Sequence, residues 1–435
     1  MRTLNARTHY VRRAPGLLGA LILGVSALIA GPAACGVGGH TVLIHEPEAD
    51  AARVLWEVDF TFEFTIPEKF RYSTEEYGSA AADPVRGLVY IGSRDGTLMA
   101  IDDLHGEVVW ETTLHGGVSA IPVLAVAEDE AEGGSVRLAK STDKPDWMLV
   151  GTDDGTLIAL DLETHEVVWR YHTSGLIREA PVVGEGVVHF VNSRDEVFTL
   201  DARTGEWVWQ YAGEFQKDFT VFGRAGLAYL PPVDAAAGDS GTLYTGFADG
   251  KVVALDATSG AARWVESLAP VRGNKLFVDV DTTPLIAADR GEIVVANQSS
   301  GVFALAMEDG ARRWNTPIRA VGSVVGSPSG VIVAASSLEG IFGLEQDGRV
   351  RWHEQLDPGA LASPLVVGDT VVVAHSDLGI LAYETGSGEL LLRLFNGSGS
   401  SGQPIFDPVL DRVYATSDRG LLYALHLRAS GPVSN

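Results

Sequence analysis

Three sets of residues in this chain have types and spacing suited to chemistry. Asp279 and Asp281 stand two apart in Phe277-Val278-Asp279-Val280-Asp281-Thr282-Thr283-Pro284-Leu285, so an extended backbone turns both carboxylates to one face. Together with Arg224, in Phe222-Gly223-Arg224-Ala225-Gly226, they could form charge-assisted hydrogen bonds to a loop of another protein. The alternative is that both aspartates satisfy backbone donors of a connection within this chain. Asp102, Asp161, Asp201 and Asp256 form the second set. An aspartate base is possible in type, yet recurrence at one place of a repeat points to a turn. Cys35 is the third set and the only cysteine, which excludes an internal disulfide, a thiolate zinc site and a covalently attached c-type haem. The 11 histidines show no His-x-His or Glu-x-x-His spacing. Asp153-Asp154-Gly155 lacks the alternating carboxylates of a calcium loop. The Gly/Ser run at 397–402 lacks the Lys-Ser/Thr end of a phosphate loop. No catalytic residue, metal or cofactor is expected.

Cys35 has its own context. Arg2, Arg7, Arg12 and Arg13 precede an apolar run at 17–30, and the chain then reads Gly31-Pro32-Ala33-Ala34-Cys35-Gly36. This is the layout of an export signal over residues 1–34, too short for a membrane span. Cysteine after small residues resembles a lipobox, which makes Cys35 a lipidation site and residues 35–52 an anchor and tether. Pro32 stands where lipoboxes carry an aliphatic residue, so cleavage without lipidation and retention as an uncleaved anchor are the alternatives. A lipid-anchored chain of this layout, with Gly36 after the cysteine, is expected on the periplasmic face of an outer membrane.

The elements that must position these residues follow from a repeat. Copies of Val-x-Val-Gly-Ser, Asp-Gly-x-Leu-x-Ala-Leu-Asp and Thr-Gly-x-x-x-Trp centre on Gly96, Gly155, Glu196, Gly250, Gly301, Gly340, Gly379 and Gly420. A base period of about 40 residues is that of one four-stranded propeller blade. Asp-Gly supplies the positive φ of a tight hairpin. Trp110, Trp169, Trp209, Trp264, Trp314 and Trp352 recur after the second turn, where each is expected to close a seam between blades. The eighth copy lacks its tryptophan strand, while an orphan one, Arg53-Val54-Leu55-Trp56-Glu57-Val58-Asp59, precedes the first. The expected fold is therefore an all-β, eight-bladed propeller of four-stranded blades over residues 53–428. The strand around Trp56 closes the ring and removes its open edges. Residues 127–146 read as an acidic, solvated loop and 429–435 as a disordered tail.

Composition agrees. The 435 residues include 50 glycines, 46% hydrophobic residues and a formal charge of −25. A surface this acidic argues against nucleic acid, or an anionic bilayer face, as a direct partner.

The unit resembles the PQQ-like, quinoprotein-type propeller repeat, which occurs in dehydrogenases and in non-enzymatic proteins. The dehydrogenases would bring a vicinal cysteine pair, a calcium site and a catalytic aspartate, and with Cys35 as the only cysteine this chain has no such pair. The Asp-Val-Asp-Thr-Thr-Pro run, followed by the last four repeats, resembles BamB, the family of outer-membrane-protein assembly lipoproteins. That resemblance implies a non-catalytic scaffold whose Asp279, Asp281 and Arg224 contact a BamA-like barrel-assembly protein. An envelope propeller that binds another protein or a glycan is the alternative, and a quinone-dependent dehydrogenase a more distant one.

Overall fold

A computed structural model describes residues 41–42, 56–65, 78–127, 136–140, 143–213, 225–233, 239–269, 277–395, 399–418 and 420–429. The chain divides into two units, 1–35 and 36–435. The first unit, which holds the expected export signal and Cys35, lies outside the described residues, as do Arg224 and residues 430–435 of the expected tail, whose first residue, Ala429, ends a strand.

The second unit is an eight-bladed β-propeller. Its antiparallel sheets span 81–113, 123–172, 182–212, 228–267, 285–316, 321–354, 365–394 and 405–429, here called blades one to eight. In the six four-stranded blades the strands run in chain order from the innermost to the outermost. Eight apolar clusters lie between neighbouring blades, one per seam, and one of them joins Val89, Ile91 and Met99 of blade one to Tyr414 and Leu422 of blade eight. Strands with both faces against a neighbour explain runs such as Val371-Val372-Val373, all at 0% exposure.

Six blades have four strands and two have five. In blade two, Val136–Leu138 pairs with the inner edge of Val123–Ala127. The segment expected as a solvated loop thus carries a short strand, because an apolar-Arg-apolar triplet suits an open sheet edge. In blade eight, Trp56–Thr65 pairs with Leu421–Ala429, and Thr41–Val42, inside the expected tether, pairs with Trp56–Thr65. The orphan strand therefore runs later than the 53–59 read from sequence, through Phe60, Phe62 and Phe64. In blades one to six the recurring tryptophan lies opposite a small residue or threonine, as in Ala100↔Trp110 and Ala254↔Trp264. In blade eight that register position, Ala424, faces Phe62, while Trp56 faces Ala429.

The tryptophans explain the Thr-Gly turns. Trp169, Trp209, Trp264 and Trp352 each donate their indole N–H to a carbonyl of the next blade: Ala202 (3.0 Å), Ala257 (3.1 Å), Met307 (2.8 Å) and Thr385 (2.8 Å). The ring then lies flat on the turn glycine of that blade. A Cβ on Gly260 would come within 2.5 Å of Trp209. Trp314 lies on Gly348 in the same way. Trp110 differs. The turn it meets holds His165 at φ 59°, and the imidazole stacks on the indole at 4.3 Å between centroids. His165 is thus a packing residue of this seam, more than a polar side chain tolerated in a turn.

Candidate partner-binding site

The recurring aspartates are settled first. Asp102 Oδ1 accepts the backbone N–H groups of Leu104 and His105 (3.0 and 2.7 Å). Asp161 does the same for Glu163 and Thr164, Asp201 for Arg203 and Thr204, and Asp256 for Thr258 and Ser259. Each is a turn cap. At Asp161 burial opposes ionisation, but the donors of Thr164 and Glu163 outweigh it and hold the carboxyl below its ordinary range.

The segment carrying Asp279 and Asp281 enters blade five on the face where blades three, four and five meet. Val280 is 1% exposed and packs against Gly246, where any Cβ would collide with it. The two carboxylates on either side of this anchor are not presented to solvent. Asp279 is 2% and Asp281 8% exposed. Asp281 Oδ2 accepts from Gln298 Nε2 at 2.9 Å, and the Asp279 carbonyl accepts from Gln298 N at 3.0 Å. Thr282 Oγ1 accepts from Ala296 N at 2.7 Å, and Asn297 Nδ2 donates to the Val278 carbonyl. The segment is therefore fastened to the second hairpin of blade five, and an exposed Phe277 (45%) stands at its start.

Two further contacts join the blades. Thr283 Oγ1 accepts from Gly226 N at 3.0 Å. A Cβ on Gly226 would lie 2.6 Å from Thr283 Oγ1 and 3.2 Å from Glu179 Oε2, so glycine is required for the three segments to converge. Glu179, which precedes blade three, is a member of this site that the sequence does not reveal. Its only signal is an acidic residue two places before Pro181, where other blades carry Ala120, Thr282, Ala362 and Gly402 before their prolines. Burial first, and then the charge of Asp281, push its carboxyl up to about 7. Asp281 and Glu179 thus act on one another at this junction. Arg224, two residues before Gly226, lies outside the described residues.

The shift at Glu179 has a definite sign. Its pKa in the folded chain exceeds the ordinary value, so its contribution to stability is complete below about pH 4.5 and is lost as pH rises through 7. Glu179→Gln is expected to melt at higher temperature than the native chain at pH 8, with the gap closing toward pH 4.5. An equal gap at both pH values would show that Glu179 is not held against charge.

The geometry so far defines a class: a PQQ-like repeat propeller with indole-locked seams, its repeated aspartates consumed as turn caps, and one carboxylate patch at a three-blade junction. The chain belongs to the family of the outer membrane protein assembly factor BamB, whose model matches residues 44–147, 130–345 and 304–432. A BamB of Shewanella oneidensis is 24% identical over 359 residues, which covers 81% of this chain and 86% of that one. The crystal structure of BamB from Moraxella catarrhalis superposes with a TM-score of 0.66 at 19% identity, covering 85% of this chain and 99% of that one. A quinohemoprotein alcohol dehydrogenase of Comamonas testosteroni is 24% identical over 221 residues, but these are 47% of this chain and 29% of the enzyme.

Proposed function

We propose that the chain is a non-catalytic scaffold of outer-membrane β-barrel assembly, held at the periplasmic face of the outer membrane by a lipid on Cys35. The observation that carries this reading is the family match, which spans blades one to eight and includes the Asp279–Asp281 segment. The partner is a BamA-like barrel-assembly protein, and it docks where blades three, four and five converge. Asp279 and Asp281 act here by shaping and charging the loop, with Phe277 and Thr283 as its exposed points, and Arg224 is the third contact residue of this reading. Their burial makes an indirect role more economical than a direct ion pair, because a buried carboxylate already tied to Gln298 has little left to offer a partner. A non-enzymatic role is supported by Asp102, Asp161, Asp201 and Asp256 being committed to backbone N–H groups of their turns.

The test is a mild-detergent pull-down of the tagged native chain beside an Asp279→Ala/Asp281→Ala double variant, with mass spectrometry and a thermal melt of each. The expected result is a barrel-assembly protein recovered with the native chain and lost from a variant that still melts cooperatively. Recovery of no barrel protein by the native chain would end the scaffold reading.

A further inference from the structure

The outermost strand of a propeller blade has a neighbour in its own sheet on one side only, and proteins ordinarily guard the other edge with charge. This chain does so in nearly every blade. Glu111, Arg170, Arg263, Arg312, Arg351 and Arg393 stand in the outermost strands of blades one, two, four, five, six and seven. The outer strand of blade eight, Trp56–Thr65, is acidic and has Thr41–Val42 paired on it. Blade three is the exception. Its outermost strand, Trp207–Ala212, reads Trp-Val-Trp-Gln-Tyr-Ala and holds no charged residue.

Within this strand Trp209 is the seam residue, 6% exposed. Trp207 is a second tryptophan that the repeat does not call for, and it is 57% exposed, with Val208 at 41%. The inner edge of the strand is paired with Glu196–Asp201, with a register shift at Val208, and among the described residues blade three has no strand beyond it. A large exposed indole, an exposed valine and an uncharged edge together make the surface to which an extended polypeptide adds by backbone pairing. The same molecule extends two of its sheets in this way, with Val136–Leu138 on blade two and Thr41–Val42 on blade eight.

We propose that Trp207–Ala212 is a second interaction surface, separate from the three-blade patch, and that it accepts an extended segment of another protein as a fifth strand. The occupant is a segment of alternating apolar and polar residues that is neutral or basic. Charge decides between this and a second copy of the chain. At a formal −25, two copies placed edge to edge repel each other, whereas a neutral or basic strand is not opposed. Trp207 covers an apolar side chain of the added strand, and the uncharged backbone edge supplies the hydrogen bonds. This proposal stands whether or not the assembly reading does.

The probe is a blocked synthetic peptide of about twelve residues that alternates valine or tyrosine with threonine or lysine, long enough to cross one strand edge. Binding is followed by tryptophan emission, and its position by backbone amide exchange. The expected result is saturable binding, a blue shift in emission and slowed exchange confined to Trp207–Ala212. Trp207→Lys/Val208→Lys is expected to weaken binding at least ten-fold with an unchanged melt, since charge guards an edge. Trp207→Thr serves as a milder variant should the double substitution disturb folding, and it is expected to abolish the blue shift. Absence of binding, equal slowing of exchange at Ala262–Ser267, or binding indifferent to both variants would overturn the proposal. So would sedimentation of the free chain as a dimer protected at Trp207–Ala212, which would make a second copy the occupant.

Discussion

Gly260→Ala is expected to destabilise the propeller far more than Gly291→Ala, although both glycines have φ between 60° and 75° (70° and 63°). The left-handed backbone charges either alanine about 1 kcal/mol. Gly291 has nothing within 4 Å of its missing Cβ, so the effect stops there. At Gly260 the methyl group would sit 2.5 Å from Trp209 Cε3. The indole cannot withdraw, because it is 6% exposed and its N–H is bonded to Ala257 of the same turn. Overpacking adds about 2–3 kcal/mol, for a total of about 3–4 kcal/mol. Urea unfolding of the two variants separates these contributions. Equal losses would mean that the indole does not rest on the glycine, and the account of the seams would be wrong.

Arg412→Leu carries the second large effect, at the seam between blades eight and one. Arg412 is 7% exposed, donates Nη1 to the carbonyl of Asp103 in blade one and Nε to His426 Nε2 at 3.2 Å. Burial raises the Asp103 carboxyl, and the Arg412 charge opposes that rise. Leucine would leave the buried carbonyl without its donor and remove the charge that opposes the rise at Asp103, a loss of about 1–3 kcal/mol as for a buried polar group left unsatisfied. Amide exchange in Leu88–Gly92 and Arg412–Thr416 should then quicken ahead of the remaining blades. Arg349 makes a useful contrast, since its pairing with Asp347 is exposed at 76% and 59%, and its removal should change little. A variant Arg412→Leu as stable as the native chain would show that this seam does not depend on the arginine.

What the sequence discloses is what local chemistry decides. An Asp-Gly turn, a strand of alternating apolar residues and a tryptophan at a fixed offset are each specified within about ten residues, so the blade count and most hairpins are readable. The third repeat slips by one for the same reason. Asp195, not Glu196, takes the left-handed position at φ 58°, because aspartate tolerates that conformation and Asn192 Oδ1 receives the turn donors Arg194 N and Glu196 N. Val136–Leu138 and Thr41–Val42 are too short to show a period, and only the open edges that accept them make them strands. The place of Phe62 opposite Ala424 depends on the register of a strand some 360 residues away, which no window can supply.

The candidate site divides along the same line. The Asp-Val-Asp spacing suggests one shared face for the two carboxylates. It says nothing of their burial, which depends on Gln298 and on the neighbouring blade. Glu179 meets Gly226 and Thr283 only because three blades deliver their entering segments to one point. His165 was equally hidden, since its stacking partner, Trp110, belongs to the preceding blade.

The most direct test of the scaffold account is calorimetric titration of the purified chain with the purified periplasmic domains of a BamA-like protein, beside Phe277→Asp. Phe277 is 45% exposed at the head of the site, so its replacement alters the docking face and spares the core. The account predicts saturable binding by the native chain, weakened at least about ten-fold by a charge placed at an apolar contact, with both proteins melting alike. No heat of binding from the native chain, or equal binding by the variant, would contradict it.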